Sequence, residues 1–247
     1  MVQLLLGTDR IGLSGQLEEI GLHRHASTAV VIGVDAPLRF VANGRAHASR
    51  AALIASGFSH AVDVGTGRIA VFLLPPHAVS CEGLAPVKDL PAAGDWVERG
   101  EALLQGRLHD FEAVDHLLSR AKQNTRPIDD RLLIALGVLW QTLDTNVPVE
   151  EVAHAARLSP SRLMALAQAQ LGTSLRRYRR WLRMFQVARD YSAGASLTHA
   201  ALSAGFSSSA HLSAAAREHF GVRPSQILTP KSRAAIRALE APNDVRT

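Results

Sequence analysis

Two different spacings of apolar residues divide the chain. From about residue 20 to 80 they come in brief runs, at 29–34, 38–41, 50–54 and 69–74. Gly, Pro, Asn and Asp separate these runs, a pattern that predicts short strands in an all-β unit. Pro75-Pro76 closes this section, and residues 81–100 read as loop with a turn of helix. At 109–122 the spacing changes: Phe111, Val114, Leu117 and Leu118 recur at helical intervals. Beyond Ile128 the chain reads as helix throughout. Leu132, Leu133, Leu136, Leu139, Trp140 and Leu143 form one apolar face, with Pro127 at its start and Asn146 to Pro148 at its end. The polar stretch 123–127 marks the boundary.

A repeat lies inside the helical half. Leu163 and Gly172 recur as Leu212 and Gly221, both 49 residues on; Ala153 and Ser159 recur as Ala201 and Ser207, both 48 on. One residue is therefore inserted after the serine of the second copy. Each copy reads as short helix, tight turn, second helix. The short helices are expected at 149–156 and 197–204, and Gly205 supplies the positive φ that a helix end favours. Ser159, followed by Pro160 in the first helical turn, caps one second helix; Ser207 caps the other, over 208–219. This is the helix-turn-helix arrangement, whose second helix presents its N-terminal residues to base edges in the major groove. Ser161, Ser208 and Ser209 fall at those positions, and Arg162 and Arg217 reach phosphates or guanine edges. The blander alternative is a helical hairpin whose serines only cap.

Between the copies, residues 174–190 read as one continuous helix. Tyr178, Trp181, Leu182, Phe185 and Ala188 form its apolar stripe, and Arg176, Arg177, Arg179, Arg180 and Arg183 crowd the rest. The first two, nearest Gly172, are placed for phosphates; the others read as solvated. A strut of about 26 Å suits two recognition helices one DNA turn apart, roughly 34 Å.

Charge supports the reading. Of 27 Lys and Arg, 12 lie before Pro127, against 13 of the 22 Asp and Glu. The remaining 15 basic and 9 acidic residues give the helical half the whole positive excess, nearly all of it arginine. Such asymmetry points to a polyanion-binding half. The single cysteine, Cys81, excludes a disulfide framework and any multi-cysteine zinc site. No apolar run reaches the length of a membrane span, and the first residues are too short and polar for a signal peptide, so a cytoplasmic location is expected.

Ser159-Pro-Ser-Arg-Leu163, Leu171-Gly-Thr-Ser174, Ala201-Leu-Ser-Ala-Gly-Phe-Ser207, Ala210-His-Leu212 and His219-Phe-Gly-Val-Arg-Pro-Ser225 resemble the AraC/XylS family of bacterial transcription regulators over about residues 128–228. The resemblance implies a module with two helix-turn-helix units entering successive major grooves, usually to recruit RNA polymerase. It places Ser161, Arg162, Ala165, Arg176 and Arg177 of the first unit, and Ser208, Ser209, His211, Ala214 and Arg217 of the second, at the DNA. The chain departs from the pattern at four positions. Arg157 stands where a glycine is frequent, Ala165 and Ala214 where basic residues are common, and Ala216 where the family has an aromatic core residue. These departures predict weaker direct base readout, steep salt dependence and a less well packed second unit.

Five of the eleven histidines, His23, His25, His47, His60 and His77, fall in the β-rich half. His23 and His25 alternate, so a strand would turn both imidazoles to one side. With His60 after Ser56-Gly-Phe-Ser59, they resemble the cupin pattern over residues 20–80, a small β-barrel often carried as the sensor of AraC/XylS regulators. The acidic ligand of enzymatic cupins is missing, since Thr28, Ala29 and Val30 occupy its region. His23, His25 and His60 are the candidate ligands of a divalent transition metal, zinc or nickel; the alternative is inherited barrel histidines that line a ligand pocket or are simply hydrogen-bonded. His47 and His77 are expected at the surface or in turns, and Cys81 beside Glu82 as inert.

The sequence thus predicts an α+β two-domain protein: a cupin-like sensor at 1–100, a helical linker and candidate dimerisation helix at 101–126, and an all-α DNA-binding domain at 127–247. The apolar stripe from Phe111 to Leu118 either pairs two subunits or is buried in its own. The leading function is a non-enzymatic, ligand-responsive transcription regulator. Its implied partners are double-stranded DNA, RNA polymerase in the case of an activator, a small-molecule or metal effector and a second copy of the chain, with no membrane. The alternatives are a metal-dependent cupin enzyme with a helical appendage, and a regulator-derived partner-binding protein that has lost base readout.

Overall fold

The computed structural model describes residues 2–17, 19–77, 87–121 and 128–239. Cys81, Glu82 and the boundary stretch 123–127 lie outside the described residues. The β-rich half contains β1 (Gln3–Leu6), β2 (Ile11–Gly15), β3 (Ile20–His23), β4 (Thr28–Gly33), β5 (Leu38–Ala42), β6 (Arg45–Ser49), β7 (Ala51–Ile54), β8 (His60–Asp63), β9 (Ile69–Leu74) and β10 (Val87–Asp89). Helices α1 (Ala93–Leu104) and α2 (Glu112–Ala121) follow. Then come α3 (Asp130–Gln141), α4 (Val149–Ala155), α5 (Pro160–Leu171), α6 (Leu175–Ser192), α7 (Leu197–Ser203), α8 (Ser209–Phe220), α9 (Pro224–Ile227), α10 (Pro230–Arg233) and a last strand, β11 (Ile236–Ala238).

The strands form two sheets, ordered β10-β7-β4-β9-β2-β1-β11 and β3-β8-β5-β6. The ladders among the described residues leave these sheets separate, so the barrel expected from the sequence is here a pair of sheets sharing one core. β4 explains why its sequence is continuously apolar. Ala29 and Val31 face the four-stranded sheet, while Val30 and Ile32 face the helices on the other side. A strand alternates faces residue by residue, so burial on both sides removes polar positions altogether.

Those covering helices are α1 and α2. Helix α1 occupies the end of a stretch that reads as loop with a turn of helix. Gly100 is the point of close approach, where a side chain would press on Ala70 and Val34. Trp96 and Leu103 fill the space beside it. The stripe Phe111, Val114, Leu117 and Leu118 is buried in the same core, so α2 spends its apolar face within its own subunit.

In the helical half, α3 to α5 and the start of α6 enclose one core, and α7, α8 and the far part of α6 enclose another. The end of the chain does not stay there. β11 pairs parallel with β1, Leu4 opposite Ile236, and the Leu239 amide donates to Leu6 O at 2.7 Å. Residues 236–238, read from sequence as part of the helical half, thus complete the sheet of the other half. Three residues are too few to show a period.

Candidate nucleic-acid interface and effector site

Both helix-turn-helix units form at the predicted positions. Ser159 Oγ accepts from the Arg162 amide at 3.2 Å, and Pro160 opens α5. In the second unit the cap is Ser208, which accepts from the His211 amide at 3.1 Å, and not Ser207. The inserted residue moves the cap one place along, and Ser207 Oγ instead meets His211 Nδ1 at 3.0 Å. Gly172 and Gly221 end α5 and α8 at φ 68 and 70. Arg157, where a glycine was expected, holds φ 53 in the turn of the first unit.

Ser161, Arg162 and Ala165 on α5 are exposed, as are Ser209, His211, Ala214 and Arg217 on α8 and the capping Ser208. Among the described residues, the guanidiniums of Arg162, Arg176 and Arg217 are in no ion pair. Most arginines of α6 are engaged. Arg177 and Arg180 both pair with Glu218, Arg177 at 3.3 Å. Arg179 donates to Val147 O at 2.8 Å, and Arg183 to Leu143 O at 2.9 Å and Asn146 Oδ1 at 3.0 Å. The arginines read as solvated therefore fasten the two units to their connector. Between the units lies a cleft of about 780 Å³, lined among others by Ser174, Arg176, Arg180, Arg183 and His211.

The three predicted ligand histidines converge. His23 ends β3 and lies opposite His60 at the start of β8; His25 lies two residues further on. Ring centroids are 4.1 Å apart for His23 and His60, 5.0 Å for His25 and His60, and 5.7 Å for His23 and His25. One nitrogen from each lies within 4.8 Å of the others. The three Nδ1 atoms face backbone carbonyls: Gly21 O at 2.8 Å, Ser27 O at 2.5 Å and Phe58 O at 3.2 Å. Such bonds fix the tautomer and leave Nε2 as the free electron-pair donor. All three rings are buried. Burial lowers the pKa of His23, and pushes that of His60 to about 3 with help from His23. His25 lies well below the ordinary value for the same reason, with His60, His23 and His219 adding to the effect. Its Nε2 is buried with no hydrogen-bond partner among the described residues. His47, paired with Asp89 at 2.9 Å, and His77 are exposed.

The histidines line a cavity of about 120 Å³, whose walls from the helical half are not legible in the sequence. Leu13, Val31 and Val62 come to it from the sheets, and Met184, Leu212 and Ala216 from α6 and α8. The aromatic ring missing at Ala216 is thus space in this cavity. Around it the two halves dock through glycines. A Cβ on Gly57 would collide with Gly172 O, and one on Gly221 with Gly21 O. The Arg24 amide donates to Glu218 O at 3.0 Å, and the Gly57 amide to His25 O at 2.9 Å. The C-terminal ends of both second helices therefore rest on the segments that carry the histidines. His219, buried at the end of α8 with Nε2 3.2 Å from Arg177 O, belongs to this junction and was not singled out in the sequence.

This arrangement defines a two-domain protein with a DNA-binding half built on paired helix-turn-helix units. Residues 141–229 match the family model described as a helix-turn-helix domain, of the AraC type. The whole fold is similar to that of ToxT from Vibrio cholerae. With ToxT bound to (E)-4-(8-methylnaphthalen-1-yl)but-3-enoic acid the TM-score is 0.65 at 9% identity, covering 90% of this chain and 98% of that one. With wild-type ToxT bound to an unsaturated fatty acid it is 0.59 at 12% identity, over 92% and 93%. No curated protein matches the chain.

Proposed function

We propose that this protein is a transcription regulator that binds promoter DNA through α5 and α8 and is controlled by an effector held against its β-rich half. The observation that carries the reading is the pair of capped, exposed second helices on one rigid connector, which at 18 residues spans about 27 Å. Ser161, Arg162 and Ala165 of the first unit, and Ser208, Ser209, His211, Ala214 and Arg217 of the second, face the bases and their flanks. Arg176 takes a phosphate at the cleft. Arg177 is spent on Glu218 and acts as a positioning residue rather than a phosphate ligand. Recruitment of RNA polymerase and formation of a homodimer rest on the family resemblance alone.

Selection of genomic fragments on the full chain tests this reading. A recurrent motif of about 15–20 base pairs, two major grooves wide, is the expected result. Arg162→Ala and Arg217→Ala each then cost about 1–3 kcal/mol and relax preference at one position. Binding with no sequence preference would leave the partner-binding alternative standing.

The cavity supports an apolar small molecule as effector, as do the apolar carboxylic acids in the ToxT structures. The three histidines support a divalent transition metal, zinc or nickel. They supply neutral nitrogen donors oriented by carbonyls, a set that fits such an ion. Fewer features favour a cupin enzyme, because the cluster contains no carboxylate among the described residues. Metal analysis of untagged protein, with His25→Ala as control, tests the metal: near-stoichiometric metal lost in the variant supports it, and metal-free protein removes it.

A further inference from the structure

We propose that the histidine cluster and the cavity are one effector site: a divalent metal on His23, His25 and His60 takes at its open position the carboxylate of a small apolar acid, whose hydrocarbon part fills the cavity. This rests on the metal reading above and adds the class of ligand.

Three imidazoles leave a metal with at least one position to fill, and all three rings line the same cavity, so that position opens into it. The rest of the lining is apolar apart from Arg223. A purely apolar ligand would leave the metal's open position without a donor from the effector. A buried carboxylate without a cation would be costly. Three neutral imidazoles supply no charge; a divalent ion on them does. Arg223 is the other cation in the lining, but it is exposed, whereas the three histidines are buried. Size sets the hydrocarbon part. A cavity of about 150 Å³ holds benzene, so about 120 Å³ lies near the limit for one ring and takes a chain of roughly five carbons.

The site is also placed to matter for DNA. Gly21 and Gly57, each two or three residues before a ligand histidine, rest on Gly221 and Gly172 at the ends of α8 and α5. An acid that bridges the metal to α6 and α8 therefore bears on both recognition helices at once. A ligand changes DNA affinity only by binding the two states of the protein unequally, and this junction is where the two states would differ.

The test uses the full, untagged chain, stripped with chelator and reloaded with Co²⁺, whose visible bands report its ligands. Hexanoate and benzoate are titrated, with hexanol as the neutral control. The expected result is one Co²⁺ per chain, a change in the visible bands on adding either acid but not hexanol, and at least tenfold weaker acid binding by the metal-free protein. Ala216→Leu, which fills the cavity, should keep Co²⁺ and lose the acids; Arg223→Gln should keep both. Absence of Co²⁺ uptake by the wild type overturns the metal reading itself. Normal Co²⁺ uptake with unchanged bands, or acid binding lost in Arg223→Gln while His60→Ala retains it, overturns only the bridging carboxylate.

Discussion

Arg157 shows how a single residue records the shape of a turn. The position needs the left-handed backbone, which glycine adopts freely and other residues adopt at a cost of roughly 1–2 kcal/mol. Its side chain is exposed. Arg157→Gly should therefore stabilise the protein by about 0.5–1 kcal/mol, the relief being partly offset by the freer unfolded chain. Chemical denaturation checks this, and a loss of stability would show that the guanidinium has a role the turn does not explain. His219 carries a second prediction. Burial lowers its pKa to about 4, with Arg180 and Arg177 on α6 opposing protonation and Glu218 favouring it. The unfolded chain takes up that proton first, so stability falls as pH drops from about 6.5 towards 4, by on the order of 3 kcal/mol. His219→Gln retains a donor for Arg177 O and does not titrate. Its stability should decline less steeply over that range, the other buried histidines keeping some slope; an unchanged slope would place the acid sensitivity elsewhere.

At the scale of elements, the capped helices and their repeat were legible because their signals are local. Ser159 and Ser208 cap the amides three residues ahead of them, and Gly172 and Gly221 end the helices they follow. Where the structure differs, a local feature of the sequence has a distant cause. Residues 81–100 read as loop, yet Gly100 serves contact with the sheet, and the arginines of α6 that read as solvated bind carbonyls and a carboxylate 32 to 40 residues away. The glycine docking gives the element-scale prediction. Gly57→Ala should cost the left-handed penalty of about 1–2 kcal/mol and a further loss from collision with Gly172 O. Gly44, at φ 71 with nothing within 4 Å, is the control, since Gly44→Ala incurs the backbone penalty alone. Equal denaturation midpoints for the two variants would show that the Gly57 contact adds nothing.

For the whole molecule, the net charge of +5 overstates what DNA can use. Four of the five arginines counted on α6 are bound within the protein. Arg162, Arg176 and Arg217 remain, so the slope of log K against log salt should be about −3, at roughly 0.9 per phosphate neutralised. This is shallower than the steep dependence that Ala165 and Ala214, standing where basic residues are common, predict. A slope of about −4.5 would mean that Arg177 and Arg180 leave Glu218 for phosphates on binding, which would couple DNA to the sensor junction directly.

The amino-acid sequence by itself determined two helix-turn-helix units, their capping residues to within one position, a β-rich half and the three histidines that meet there. Each follows from spacing over a few residues or from a repeat, and such signals survive without knowledge of the rest of the chain. Only the tertiary structure decided that the histidines open into a cavity shared with α6 and α8. It also decided that α2 hides its apolar face in its own core, and that β11 returns to pair with β1. These features join segments up to some 230 residues apart. Contact between distant segments depends on how whole layers pack, and packing leaves no period in the sequence of either partner.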